Sequence, residues 1–206
     1  VLPFAAAWLW RERRWSALAY GIAAATKQLA WFFAPFYLIA VVTTHGWREG
    51  VRRAAIGATV FGAANLPFIV SHPRDWLEGV TTPISDPMFP RGAGIVFLGT
   101  NGGLPLLPSS AYLVMEGLCA IACVLVAWRS RRTSPELGVV LALLPLFFAW
   151  RSLFSYFFLI PLFAAVAVAR MPLGDLTPER AQAAGALTLF ALPVRRLAVA
   201  RRGRAA

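Results

Sequence analysis

The chain has 206 residues, of which 59% are hydrophobic and 14% charged, with a formal net charge of +11 and a mean hydropathy of +0.65. Soluble domains carry about 25% charged residues, so this composition excludes an ordinary soluble domain and points to an all-α integral membrane protein. The basic excess does not call for a nucleic-acid partner, because the arginines collect at the ends of apolar segments and no basic face interleaved with aromatics appears.

In chain order, the first segment is VLPFAAAWLW, which opens at Val1 without Met. It is too short to span a bilayer and lacks the charged start of a signal peptide, so the chain reads as the C-terminal part of a longer protein. The cluster Arg11, Arg13 and Arg14 follows. Then comes WSALAYGIAAATKQLAWFFAPFYLIAVVTT, an apolar run of about thirty residues from Trp15 to Thr44 with Lys27 near its middle, the only lysine in the chain. A cation at the centre of a membrane helix costs roughly 2.5–3.5 kcal/mol. If every arginine cluster lies on the inner side, this stretch crosses an even number of times and forms a hairpin. Its halves, Trp15–Thr26 and Leu29–Thr44, are 12 and 16 residues, short against the ~20 of a full span. Lys27 and Gln28 then form the outer tip. The rival is one tilted helix of about 42 Å, which would put one arginine cluster outside.

Arg48, Arg52 and Arg53 follow, with His45 beside them as a plain loop residue. Ala54–Val70 is predicted to go out and Ala111–Ala127 to return, joined by one long external loop, 71–110. That loop sets two arginines against three carboxylates, a net charge of −1, and is rich in Pro and Gly, which argues against long helix there. Asp75 would cap a helix-like piece, Trp76–Val80. Asn65, two residues before Pro67, would satisfy backbone freed by the proline. Cys119 and Cys123 share a helix face as packing residues, with no partners for a metal. After Arg129, Arg131 and Arg132 a second short hairpin is predicted, Leu137–Trp150 and Ser152–Ala169, with Arg151 at its outer tip. Residues 1–170 thus form a multi-pass domain of about six or seven membrane helices, and 171–206 an inner or interfacial basic tail in which Ala183–Val194 lies along the membrane surface.

Three ionisable groups stand apart from the inner arginines: Lys27, Arg151 and, inside the returning helix, Glu116. Snorkelling with one structural ion pair would explain them. So would an outward-facing polar cavity whose cations hold an anion, with phosphate or diphosphate the natural ligand for an Arg fork and a Lys point charge. His72, Arg74, Asp75, Asp86 and Arg91 in the loop are further candidates. No nucleotide-binding, serine-hydrolase or zinc-protease motif is present, and nothing asks for a cofactor or a metal.

The segments GIAAATKQLAWFFAPFYLI (21–39), NLPFIVSHPRDWLEGVTTPISDPMFP (65–90) and FFAWRSLFSYFFLIPL (147–162) resemble the later part of bacterial multi-pass glycosyltransferases of the GT-C type, most nearly the glycosyltransferase 87 group. The resemblance implies a GT-C-like helical bundle in the bacterial plasma membrane. It implies inverting transfer of a sugar, a hexose such as mannose, from a polyprenyl-phosphate donor to a lipid or glycan acceptor at the outer face. It places the catalytic carboxylate in a first external loop outside this chain, so neither Asp75 nor Asp86 is promoted to that role. Lys27 with Gln28, and Arg151 with Tyr156, match recurring polar positions that would hold the lipid-phosphate leaving group. A transporter or flippase of an anionic or lipid-linked substrate would use the same cations, but it predicts an internal repeat that the two hairpins do not show. A non-catalytic membrane scaffold is the third reading.

Overall fold

The computed structural model describes residues 2–85, 90–152 and 154–170. The basic tail, including Ala183–Val194, and Asp86 lie outside them. The described chain is mostly helical. In order it runs α1 Leu2–Leu9, α2 Ser16–Thr26, α3 Leu29–Phe32, α4 Ala34–His45, α5 Trp47–Ser71, α6 Pro73–Ser85, strand β1 Arg91–Gly92, α7 Val96–Thr100, α8 Ser109–Ser130, α9 Leu137–Leu141, a 3-10 turn Leu144–Phe147, strand β2 Arg151–Ser152, α10 Phe154–Phe157 and α11 Leu159–Arg170. Among these, α5 and α8 are long and apolar enough to cross a membrane; Ser16–Thr26, Ala34–His45, Leu137–Phe147 and Leu159–Arg170 are shorter apolar segments.

The first hairpin breaks where the lone lysine predicts. Lys27 leaves α2 in an extended conformation (φ −155°, ψ 127°), and its side chain is exposed. A second break at Phe33 was not anticipated. Pro35 has no N–H to donate back to Trp31, so the hydrogen-bond ladder restarts with α4. The outgoing helix is longer than the predicted Ala54–Val70: α5 begins at Trp47 and takes Arg48, Arg52 and Arg53 into its first two turns. The returning helix likewise extends two residues earlier and three later than predicted, as Ser109–Ser130.

Segment 71–110 differs more from its expected form. Where prolines and glycines suggested irregular loop, α6 runs for 13 residues. Pro73 suits the first turn of a helix, where its missing N–H is an orphan anyway. Asp75 sits inside that first turn, favourably placed against the helix dipole, rather than capping a piece that starts at Trp76. Asn65 does more than serve its own backbone. Its Nδ2 donates to Phe61 O (2.9 Å) while its Oδ1 accepts from Trp76 Nε1 (3.0 Å), which ties α6 back onto α5.

The N-terminal segment, too short to span, forms the hub of the core. Ala7 and Trp8 are fully buried and Phe4 nearly so. Phe4 meets Phe33 at 4.0 Å between ring centroids and Phe163 at 5.5 Å, while Tyr20 stacks on Tyr37 at 4.9 Å. Helices α2 and α5 pack backbone to backbone. A Cβ on Gly21 would lie 2.6 Å from Val60 Cβ and 3.0 Å from Gly57 O, so the close approach requires glycine there, as small residues allow at membrane helix interfaces.

Candidate functional site

Two polar clusters occupy opposite ends of the bundle. The arginine-rich end is a closed ion network. Glu136 accepts from both terminal nitrogens of Arg11, one contact at 2.9 Å, and from Trp8 Nε1 at 2.9 Å, with Arg170 Nε at 3.3 Å. Arg170 also donates to Glu12 (2.8 Å) and to Leu9 O (2.6 Å). His45 Nε2 lies 3.2 Å from Glu12, so it is a network member and not the plain loop residue expected. Arg53 reaches across from α5 to Arg11 O and to Ser16 Oγ (3.1 Å), and pairs with Glu49 one turn earlier on the same helix (3.0 Å). Arg11 and Arg53 are 3% and 2% exposed, buried struts and not solvated loop charges. Burial alone would raise the carboxyl pKa of Glu136, but the hydrogen bonds and charge of Arg11, with help from Trp8 and Arg170, hold it below the usual carboxylate range. Glu136, Arg11, Arg53 and Arg170 are tied to one another, to backbone or to neighbouring side chains, so this buried network serves stability.

The sequence hid this network because its partners are far apart in the chain, 125 residues in the case of Arg11 and Glu136. The one available signal was that Glu136 is a lone carboxylate entering an apolar segment, and its near neighbours Arg129, Arg131 and Arg132 drew attention from the true partners.

The opposite end gathers most of the predicted donor-site residues. Lys27 Nζ stands 5.7 Å from the ring centroid of Tyr156, a cation–π contact between the tip of the first predicted hairpin and the second half of the other. Below Lys27 lies an apolar hollow lined by Phe4, Ala23, Leu29, Ala30, Phe33 and Phe163. Gln28 does not face that hollow: its Nε2 donates to Val80 O (2.9 Å) and anchors α6 to the tip. Arg151 lies in a two-residue parallel strand pair, opposite Arg91, with Gly92 opposite Ser152. Backbone bonds from Arg91 N to Trp150 O (3.4 Å) and from Ile95 N to Phe147 O (2.9 Å) hold the pair. Gly92 has φ 151°, a conformation that L side chains rarely adopt.

The remaining candidates do not join this cluster. His72 and Asp75 form an exposed contact at 3.7 Å, and Arg74 is exposed near the start of α6. Glu116 is the eighth residue of α8, half-buried, one turn beyond Tyr112, whose ring meets Trp150 at 5.3 Å. Cys119 and Cys123 face each other across one turn at 3.9 Å. Among the described residues no group of three His, Cys, Asp or Glu side chains converges as a metal-ligand set.

Comparison with known proteins bears on what these cations are for. Glycosyltransferase family 87 matches residues 1–155. The chain belongs to that family. Neither the curated proteins nor the solved structures contain a match to it. As a family 87 chain it is a membrane glycosyltransferase, and its apolar helices agree with association with a membrane. The matched region holds Lys27, Arg91 and Arg151 and stops one residue short of Tyr156.

Proposed function

We propose that this family 87 chain carries the donor side of a transferase that moves a hexose, such as mannose, from a polyprenyl phosphate to a lipid or glycan hydroxyl at the outer face of a bacterial plasma membrane. The observation that carries the reading is the contact of Lys27 with Tyr156, five residues beyond Arg151, at the end of the bundle opposite the buried ion network. In the transfer, the acceptor oxygen bonds to the anomeric carbon from the face opposite the phosphate. The bond from that carbon to the phosphate oxygen breaks, and its electron pair stays on the phosphate. The hydroxyl proton passes to a carboxylate base, a role given to none of the residues described. Positioned cations stabilise the charge that gathers on the departing phosphate. Lys27 supplies a compact charge and Arg151 a planar fork. Gln28 acts in this reading as the anchor of α6, not as a phosphate contact.

The test is transfer of labelled sugar from polyprenyl-phosphate hexoses by the full chain in proteoliposomes. Lys27→Ala and Arg151→Ala should each lower transfer about ten- to a hundredfold, the range for losing a hydrogen bond to a charged group. Counterflow of labelled substrate without any sugar transfer would instead favour a flippase or transporter.

A further inference from the structure

The sequence places Arg91 in the external loop, sixty residues from Arg151 and in a different part of the expected site. The register sets the two side by side, Arg91 opposite Arg151. Residues directly opposed in a strand pair project to the same side, with strands about 4.8 Å apart. Like charges so placed repel. An anion lying across both guanidinium forks turns that repulsion into attraction. Arg151 is half-buried and Arg91 exposed, so the first is fixed in the bundle while the second closes from the loop side. The backbone bonds from Arg91 N to Trp150 O and from Ile95 N to Phe147 O keep that loop in place.

Resting on the donor-site reading above, we propose that Arg91 is a contact to the departing phosphate, specific for the charge that appears only when the sugar leaves. A sugar-linked phosphodiester carries one negative charge, whereas a released phosphomonoester carries about −1.5 to −2 at neutral pH. One cation fork suffices for the first. A second fork in register binds the product-like state more tightly than the donor, and interactions stronger in that state speed the reaction. Arg91 therefore acts on turnover and not on donor capture.

The experiment measures binding of farnesyl phosphate, a monoester, and farnesyl methyl phosphate, a diester, to the purified full chain in detergent. Wild type should prefer the monoester by about tenfold, one charge-assisted hydrogen bond's worth. Arg91→Ala should bring that ratio close to one with diester affinity and melting temperature unchanged, and Arg91→Lys should fall between. Arg151→Ala should weaken both probes. Equal binding of the two probes by wild type, or an unchanged ratio in Arg91→Ala, overturns the role of Arg91 and leaves the donor site standing. Binding of neither probe by wild type overturns both.

Discussion

Glu136 is the residue on which the arginine-rich end depends. It joins Trp8 and Arg11 near α1 to Arg170 at the end of α11, so one carboxylate closes the first and last described helices onto each other. Its replacement by Gln leaves Arg11 buried without a counter-charge. Removing one partner of a buried ion pair costs about 3–5 kcal/mol, and Glu136→Gln should melt well below wild type in detergent. The pH dependence follows from the lowered carboxyl pKa. A carboxylate depressed in the folded state contributes stability that is fully present above its unfolded value and is lost as pH falls through the folded one. Wild type should therefore hold a constant melting temperature down to about pH 4.5, near an ordinary glutamate, and lose stability below it. Glu136→Gln should lack that acid limb, and a parallel acid limb in the variant would refute the assignment.

At the scale of elements, the contact between α2 and α5 decides how closely the bundle packs. Gly21→Val forces a branched side chain against Val60 and the Gly57 carbonyl, and overpacking of this kind costs about 1–3 kcal/mol. Gly62 lies on the same α5 but has no atom within 4 Å of a built Cβ, so Gly62→Ala should be neutral or slightly stabilising, since Ala is the better helix former. Melting curves of the two variants check both expectations together. The same pair of helices shows what a linear reading captures. The break at Lys27 is legible because a charge and a polar amide interrupt an otherwise apolar run. The break at Phe33 is less so, since Pro35 lies near a helix start where proline is usually tolerated. Helix α6 was hidden by Pro73 and Pro83, residues that discourage helix in its interior but sit here near its two ends.

For the whole molecule, the even-crossing argument predicts both hairpin tips, Lys27 and Arg151, on one side of the membrane, which labelling can test. Single-cysteine labelling in intact cells, with Cys119 and Cys123 replaced by alanine, should show Gln28→Cys protected from a cytoplasmic reagent and Arg132→Cys open to it. Labelling of Gln28→Cys from the cytoplasm would invert the threading. The elements of the donor cluster were visible in sequence as isolated charges in apolar surroundings. Their partners were not, because neither the register that sets Arg91 against Arg151 nor the pairing of Arg11 with Glu136 leaves a local pattern. The central claim is that the lipid phosphate sits at the Lys27–Arg151 end. Photocrosslinking with a diazirine-bearing prenyl phosphate, mapped by mass spectrometry, tests it most directly. The account predicts crosslinks within residues 27–33 and 150–157 that unlabelled prenyl phosphate competes away and Arg151→Ala abolishes. Crosslinks confined to the arginine-rich end, around residues 8–16 and 129–137, would contradict it.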